Sequence, residues 1–218
     1  TGEIVPRWEW RTFGDAFPDA ERLLDGLTPE RAQDSNEVYL LSAHSDASAK
    51  LRDDVVDVKQ LQQVNDDGLE LWKPILKASF PLSAEDTVAV LAALSIPAAP
   101  LARDSYTADH FAHELVTPNP DLRLVIVHKQ RTHYRVDDCM VERSQIETDG
   151  EASGTIAIES PDAELVLATI ARLGLAGRRN VNMASGLKSL VGFGGHRHAV
   201  VDVGTNSVKF FLAELEAD

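Results

Sequence analysis

Strand-length segments in which charged residues recur at every second position are the feature that most constrains the fold of this chain. In the longest of them, residues 122–136, the recurring residues are basic: Lys129, Arg131, His133 and Arg135. Side chains at alternate positions of a β-strand lie on the same face of the sheet. One face of this predicted strand is therefore strongly basic, and the fold has to give that face either solvent or anionic partners.

Other predicted strands repeat the pattern with both signs of charge. Asp57 and Lys59 share one face of their strand, and Glu159 lies in parity with Ala157 on another. On a single strand, such a face is usually the solvent-exposed side of an antiparallel sheet. Its recurrence on several strands also fits a closed barrel that holds a polyanion inside, with a divalent cation beside it. Both arrangements stay open here, because parity within one strand does not give the register between strands.

Residue patterns predict eight strands and up to four helices. The predicted strands cover residues 4–13, 37–42, 49–53, 55–63, 69–78, 122–136, 139–147 and 154–160. The predicted helices cover residues 17–27, 83–94, 107–115 and 161–174. Short turns such as Asp53-Asp54 and Asp137-Asp138 join successive strands, so we expect those strands to pair antiparallel.

Composition limits the classes of partner that the chain can have. Its 218 residues include 21 Lys and Arg and 35 Asp and Glu, which gives a formal net charge of −14. A surface that coats nucleic acid needs clustered Lys and Arg, so any basic site should be local and enclosed. The single cysteine, Cys139, cannot form a disulfide within the chain, which favours a cytoplasmic location. We see no signal peptide and no apolar run of membrane-spanning length, and so we expect no membrane partner.

The order of these segments resembles the CYTH domains, or triphosphate tunnel metalloenzymes, over roughly residues 4–190. The resemblance is carried by six short pieces: Arg7-Trp-Glu9-Trp-Arg11, Lys50-Leu-Arg52, Val56-Asp-Val-Lys59, Lys129-Gln-Arg131, Val141-Glu142 and Ala157-Ile-Glu159. The family includes thiamine triphosphatase, class IV adenylyl cyclase, RNA triphosphatase and inorganic triphosphatase. The resemblance implies an α+β fold for residues 1–192, with an eight-stranded antiparallel tunnel-like β-barrel and flanking helices.

The resemblance also implies a site inside the barrel. Its phosphate-binding residues would be Arg11, Arg52, Lys59, Lys129 and Arg131, and its Mg²⁺ or Mn²⁺ ligands would be Glu9, Glu142 and Glu159. Arg7 and Ala157 stand where the family has glutamates, so the carboxylate cluster is thinner here. The implied function is binding of polyphosphate or an organic triphosphate, with or without metal-dependent hydrolysis. The alternative is a non-catalytic module that senses polyanions.

The end of the chain carries a second motif. An apolar strand leads into Asp202, the turn Gly204-Thr205-Asn206-Ser207 and a second apolar strand. Asp202 could bind a divalent cation or a water, Gly204 permits close backbone approach, and the three residues after it can donate to phosphate oxygens. The residue sequence of this segment resembles the phosphate-1 motif of the exopolyphosphatase and guanosine pentaphosphate phosphatase family, within the actin-like ATPase fold.

That resemblance implies that residues 193–218 are a linker and the first β-hairpin of a truncated exopolyphosphatase-like domain. An ordinary two-residue hairpin turn is the alternative for the same residues. The sequence therefore predicts a barrel domain followed by a hairpin, and it leaves the role of the hairpin open.

Overall fold

The fold is given by a computed structural model, which describes residues 6–194, 197–204 and 207–214, with side chains for the first of these ranges. Twelve strands occur in the described residues: β1 Arg7–Gly14, β2 Arg31–Ser42, β3 Ser45–Arg52, β4 Val55–Val64, β5 Glu70–Ser79, β6 Leu82–Ser83, β7 Ser105–Tyr106, β8 Leu122–Val136, β9 Cys139–Thr148, β10 Glu151–Ser160, β11 Arg197–Gly204 and β12 Ser207–Glu214. The eight long strands of the first range are those that the sequence predicts, with β2 beginning six residues earlier than expected.

Eight strands close into one antiparallel barrel in the order β1-β10-β9-β8-β2-β3-β4-β5. Tight turns set this order, because each joins strands that are neighbours in the barrel. Asp53 and Asp54 between β3 and β4, and Asp137 and Asp138 between β8 and β9, all have positive φ. Aspartate tolerates this conformation, and two such residues in succession give the hairpin turn that matches strand twist. The predicted fold class is confirmed.

Helices cover the barrel on two outer sides. Helix α1 (Pro18–Asp25) and helix α4 (Ala163–Arg172) pack with apolar residues of β1, β9 and β10, including Ile156 and Ile158. Helix α2 (Ala84–Ala93) and the short helix α3 (Ala108–His110), which continues as a π-helical segment (Phe111–Val116), pack over β2, β3 and β4. All lie where the sequence predicts helices.

Helix α5 (Met183–Val191) is a helix that the sequence analysis did not predict. Its buried residues Met183, Ala184 and Leu187 pack against inward-facing residues of the barrel, which are Tyr39, Leu41, Val125, Val127 and Ile146. At this end the barrel interior is therefore filled and apolar. Gly186 allows the close approach, because a Cβ atom there would overlap the ring of Phe13.

The segment that precedes α5 completes the barrel wall beside β1. Strands β1 and β5 pair over only Arg7 to Glu9. Further along β1, the backbone N–H of Arg11 donates to Asn180 Oδ1 at 2.8 Å, and the N–H of Val181 donates to the Arg11 carbonyl at 2.6 Å. Residues 180–182 thus take the place of β5 along the second half of β1.

The predicted terminal hairpin is confirmed as an antiparallel pair, in which β11 and β12 meet at Gly204 and Ser207. Thr205 and Asn206 lie outside the described residues, as do the side chains of Asp202 and Ser207. Their predicted phosphate-binding role, and the domain boundary near residue 192, stay predictions. None of the described helices is both long enough and apolar enough to cross a membrane.

Candidate functional site

The charged faces predicted from alternation point into the barrel and surround a cavity of about 190 Å³. Five basic and five acidic side chains line it: Arg11, Lys50, Lys59, Lys129, Arg131, Glu9, Asp46, Asp57, Glu142 and Glu159. Tyr39, Ser48, Trp72 and the beginning of α5, at Asn182, Met183 and Ala184, complete the wall. The open-sheet alternative is wrong, since the strands close and the charged faces converge.

Four of the five predicted phosphate-binding residues line this cavity. Arg11, Lys129 and Arg131 are almost fully buried, with 6, 3 and 8% of their surface exposed. Lys59 lines the cavity from β4, whereas Arg52 is more exposed and its guanidinium lies 3.6 Å from Glu37. The structure thus brings four cations from three strands together and leaves Arg52 beside them.

Glu142, a predicted metal ligand, is bonded to the predicted phosphate-binding cations. Its Oε1 accepts from Lys129 Nζ at 2.7 Å and from Arg11 Nη1 at 3.3 Å, and its Oε2 lies 3.1 Å from His133 Nε2. Ser144 Oγ also donates to it at 3.1 Å. Burial alone would raise the pKa of Glu142, but these cations, led by Lys129, hold the pKa well below its usual range.

The small side chain of Ala157 permits the contact between Arg11 and Glu142. In the barrel register, Ala157 on β10 lies directly between Arg11 on β1 and Glu142 on β9. Directly opposed residues on neighbouring strands project to the same face. The ion pair therefore crosses over the methyl group of Ala157, at a position where a longer side chain would stand between the two charges.

Glu37 is a second buried carboxylate, which the sequence analysis did not single out. It has no exposed surface, and it pairs with Arg131, with Lys50 at 3.6 Å and with Arg52 at 3.6 Å. Tyr39 Oη donates to its second oxygen at 2.9 Å. Burial would raise the pKa of Glu37, but Lys50 and Arg131 lower it overall. Its parity with inward-facing Tyr39 was the available sequence signal.

Lys129 has the most strongly lowered pKa among the described lysines. Burial lowers its pKa to about 8, and the nearby charges of Arg11 and Arg131 act in the same direction, while Glu142 opposes them. The pKa of Lys50 is lowered as well, chiefly by burial and then by Arg52, against the opposing charge of Glu37. The cavity wall thus contains cations close enough to repel one another, which an added anion would relieve.

Three carboxylates form a row across neighbouring strands on another part of the wall. Glu159 on β10 lies opposite Glu9 on β1, and Glu9 lies opposite Glu70 on β5. Burial and the charge of Glu9 raise the pKa of Glu159. Burial likewise raises the pKa of Glu70, although Asn182 and Trp72 donate hydrogen bonds to it. This row is where the interior carries excess negative charge.

The predicted metal ligands fit a divalent cation only in part. Within residues 6–194 no group of three or more His, Cys, Asp or Glu side chains is arranged to hold a metal ion. Glu142 is engaged by Lys129 and Arg11, so its oxygens are not free. Glu9 accepts one hydrogen bond from Arg11 Nε at 3.3 Å, and it faces Glu159, so that the two carboxylates carry a mutual repulsion that a cation would relieve. Mg²⁺ is often held by one or two carboxylates together with substrate phosphates, and this pair fits that pattern.

Two cations of the cavity retain unused hydrogen-bonding capacity. Among residues 6–194, Lys59 makes no ion pair within 4 Å, and the buried Nε of Arg131 has no hydrogen-bond partner. Arg7, at the first departure from the family pattern, is half exposed and lies 4.0 Å from Glu159. A buried donor without a partner is costly unless a ligand or water satisfies it.

Comparisons with known proteins find similarity only at the level of structure. No protein-family model matches the chain, and no curated protein matches it. A protein from Hippeastrum, described as a candidate adenylyl cyclase with a dominant triphosphatase activity, is 12% identical, covers 86% of this chain and 96% of its own, and has a TM-score of 0.47.

Two further solved structures are of proteins from microorganisms. The PH1012 protein from Pyrococcus horikoshii OT3 is 15% identical over 78% of this chain and 92% of its own, with a TM-score of 0.44. A candidate adenylate cyclase from Bacillus halodurans is 11% identical over 83% of this chain and 97% of its own, with a TM-score of 0.44. These scores are below 0.5, and the barrel fold follows from the strand pairing of this chain alone.

Proposed function

We propose that the barrel interior binds a short chain of phosphoryl groups, either as inorganic polyphosphate or as the triphosphate of an organic molecule. The observation that carries the proposal is the convergence of Arg11, Lys50, Lys59, Lys129 and Arg131 on one enclosed cavity in a chain of net charge −14. Guanidinium and ammonium groups are the protein groups that bind phosphate oxygens best. Their concentration here supports a polyanion as ligand.

The ion pairs already present in the cavity wall decide how such a ligand would bind. Glu142 and Glu37 already neutralise most of the buried cations. The ligand would therefore share these cations with the two carboxylates, and it would also bind Lys59, which makes no ion pair within 4 Å among residues 6–194. This supports a ligand of high charge density, because a singly charged anion would gain little from cations that are already paired.

Mg²⁺ or Mn²⁺ would be held by Glu9 and Glu159 together with ligand phosphates. When bound, the ion neutralises phosphate charge and orients the attacking water, as phosphoryl transfer requires. The basic residues would fix the phosphates on the other side of the cavity. We therefore propose metal-dependent hydrolysis of a phosphoric anhydride as the activity, and with it membership of the CYTH or triphosphate tunnel family.

A second candidate is a binding module without hydrolytic activity. Glu142 is bonded to Lys129 and Arg11, and this observation favours binding over catalysis because it leaves two of the three predicted carboxylates for a metal. The two candidates differ in metal dependence. An enzyme needs the divalent cation for turnover, whereas a sensor binds the polyanion without turnover.

Calorimetric titration with inorganic tripolyphosphate, with and without Mg²⁺, tests both candidates when released phosphate is measured on the same samples. Binding with Mg²⁺-dependent release would support the enzyme, and binding without release would support the sensor. Lys59→Met should weaken binding about tenfold, because it removes a cation that has no partner in the wall. The matched control, Lys73→Met, changes an exposed lysine on the neighbouring strand and should bind normally. Absence of binding would refute both candidates.

The terminal hairpin supports a separate proposal, that Asp202, Gly204, Thr205, Asn206 and Ser207 form a phosphate motif of an exopolyphosphatase-like domain. It rests on the residue sequence of the motif and on the antiparallel pairing of β11 with β12. Asp202→Asn should leave tripolyphosphate binding in the barrel unchanged while it removes a second, weaker phosphate-binding event from the titration. A single binding event of unchanged size in both proteins would count against this motif.

A further inference from the structure

We infer that Glu37 is a positioning residue, which aims Lys50 and Arg131 at the ligand without contacting the ligand itself. The inference rests on the proposed function, since it concerns the same cavity. Glu37 has no exposed surface and is absent from the residues that line the cavity, whereas Lys50 and Arg131 line it. The cations therefore lie between the Glu37 carboxylate and the cavity.

The three cations come to Glu37 from both neighbouring strands of the barrel. Lys50 and Arg52 are on β3, and Arg131 is on β8, with β2 and Glu37 between them. In the register, Arg131 lies opposite Gln33, four residues away from Glu37 along β2. Its side chain therefore runs along the inner wall to reach the carboxylate. Without a charge at Glu37, the contacts left to hold it among the described residues would be the hydrogen bond to Ser35 Oγ and the longer approach of Nη1 to Glu142 at 3.9 Å.

The remaining bonds around Glu37 fix its own position. Tyr39 donates to one carboxylate oxygen at 2.9 Å, so the other oxygen is left to the three cations. Arg131 is also held by Ser35 Oγ at 3.0 Å through the same Nη2 atom. These contacts use one end of the guanidinium, and the Nε atom has no partner in the protein. Glu37 thus orients Arg131 through one end of its guanidinium, while the side chain still lines the cavity.

The direction in which one substitution changes tripolyphosphate affinity separates a positioning role from simple charge neutralisation. Glu37→Gln removes a negative charge that lies behind the cations lining the cavity. If Glu37 only neutralised its neighbours, the variant would bind tripolyphosphate more tightly, because the wall would become more positive. If Glu37 positions them, binding weakens in spite of the more favourable charge, and we expect a loss of about tenfold.

A double-mutant cycle shows whether Glu37 acts through Arg131. The dissociation constant for tripolyphosphate is measured by calorimetry for the wild type, Glu37→Gln, Arg131→Gln and the double variant. Positioning predicts that Arg131→Gln costs at least about fivefold less affinity in the Glu37→Gln background, because that arginine is already misdirected. Additive losses would overturn the inference. The control cycle uses Glu30→Gln and Arg135→Gln, an exposed pair at 3.1 Å, and should show no coupling.

Thermal unfolding of each variant identifies a failure to fold. If Glu37→Gln does not fold, Glu37→Asp keeps the charge and withdraws the carboxylate by about 1.5 Å, the length of one C–C bond. Weaker binding by this folded variant would support positioning, and wild-type affinity would overturn it. If the wild type binds and the Glu37 variants bind equally well, only this inference fails. If the wild type does not bind tripolyphosphate, the proposed function fails and the inference fails with it.

Discussion

Lys129 should make polyanion binding depend on pH in the range just above neutrality. Burial lowers the pKa of Lys129 to about 8 from an ordinary value of 10.5. A bound phosphate chain adds negative charge beside the ammonium group and so raises this pKa again. Below pH 8 the lysine is charged in both the free and the bound protein. Above pH 8 the free protein loses the proton and has to take it up again when the ligand binds.

The size of the effect follows from these two pKa values. If binding restores the ordinary pKa of 10.5, the free energy of protonating Lys129 at pH 9.5 is lost from the binding free energy. The dissociation constant should then be about 30-fold higher at pH 9.5 than at pH 7. Tripolyphosphate itself gains negative charge over this range, which acts in the opposite direction, so the comparison has to be made against a variant.

Lys129→Arg provides that comparison, because a guanidinium stays charged throughout the range. Calorimetry at pH 7 and at pH 9.5 gives the affinity ratio of wild type to variant, and titration in buffers of different ionisation enthalpy counts the protons taken up. We expect the wild type to take up close to one more proton per ligand than the variant near pH 9. Equal proton uptake by the two proteins would show that Lys129 does not change its charge on binding, and the reasoning would be refuted.

Three further predictions concern buried groups. Glu142→Gln should lower the free energy of unfolding by about 3 kcal/mol at pH 7. Since the folded pKa of Glu142 lies below its ordinary value of 4.5, the difference in stability between wild type and variant should shrink as pH falls through the folded pKa. Urea unfolding of both proteins at pH 7 and pH 3 measures this difference. Glu159→Gln removes the repulsion with Glu9, so it should tighten tripolyphosphate binding without Mg²⁺ and reduce the factor by which Mg²⁺ tightens it. An undiminished Mg²⁺ factor in calorimetry would contradict the metal assignment. Gly186→Ala should lower the free energy of unfolding by about 1–2 kcal/mol, because the clash with Phe13 outweighs the helix preference of alanine; a thermal melt with no loss would show that the ring moves aside.

Local sequence rules were sufficient for the strands of the barrel, whereas its closure was expected only from the family resemblance. The Asp-Asp turns pair β3 with β4 and β8 with β9, and the alternation along β8 and β4 shows which charged residues share a face. Helix α5 was missed, and its Asn182 cap and its spacing of Met183, Ala184 and Leu187 were the signals that could have found it. Its place at one end of the barrel depends on packing against strands far away in the sequence, which no local pattern encodes.

The site was predictable as a set of residues but not as a set of bonds. The family resemblance implied that Arg11, Lys129 and Arg131 lie inside the barrel, and all three line the cavity. Their pairing depends on the register between strands, which places Arg11 and Glu142 on either side of Ala157. Glu37 was missed for the same reason: its parity with Tyr39 gives the face of its strand, but its partners Lys50, Arg52 and Arg131 lie on neighbouring strands.

The arrangement of charge also explains why binding and hydrolysis have to be measured separately. The cations are organised by Glu37 and Glu142, neither of which is free to hold a metal ion, so the proposed phosphate site is assembled without one. Of the three predicted metal ligands, Glu9 and Glu159 are left for a divalent cation, and Arg11 Nε already lies 3.3 Å from Glu9 while Arg7 lies 4.0 Å from Glu159. A positive side chain at that point reduces the charge that a metal ion would have to supply for binding, but it cannot orient an attacking water as a metal does. Affinity for tripolyphosphate should therefore survive removal of Mg²⁺ better than phosphate release does.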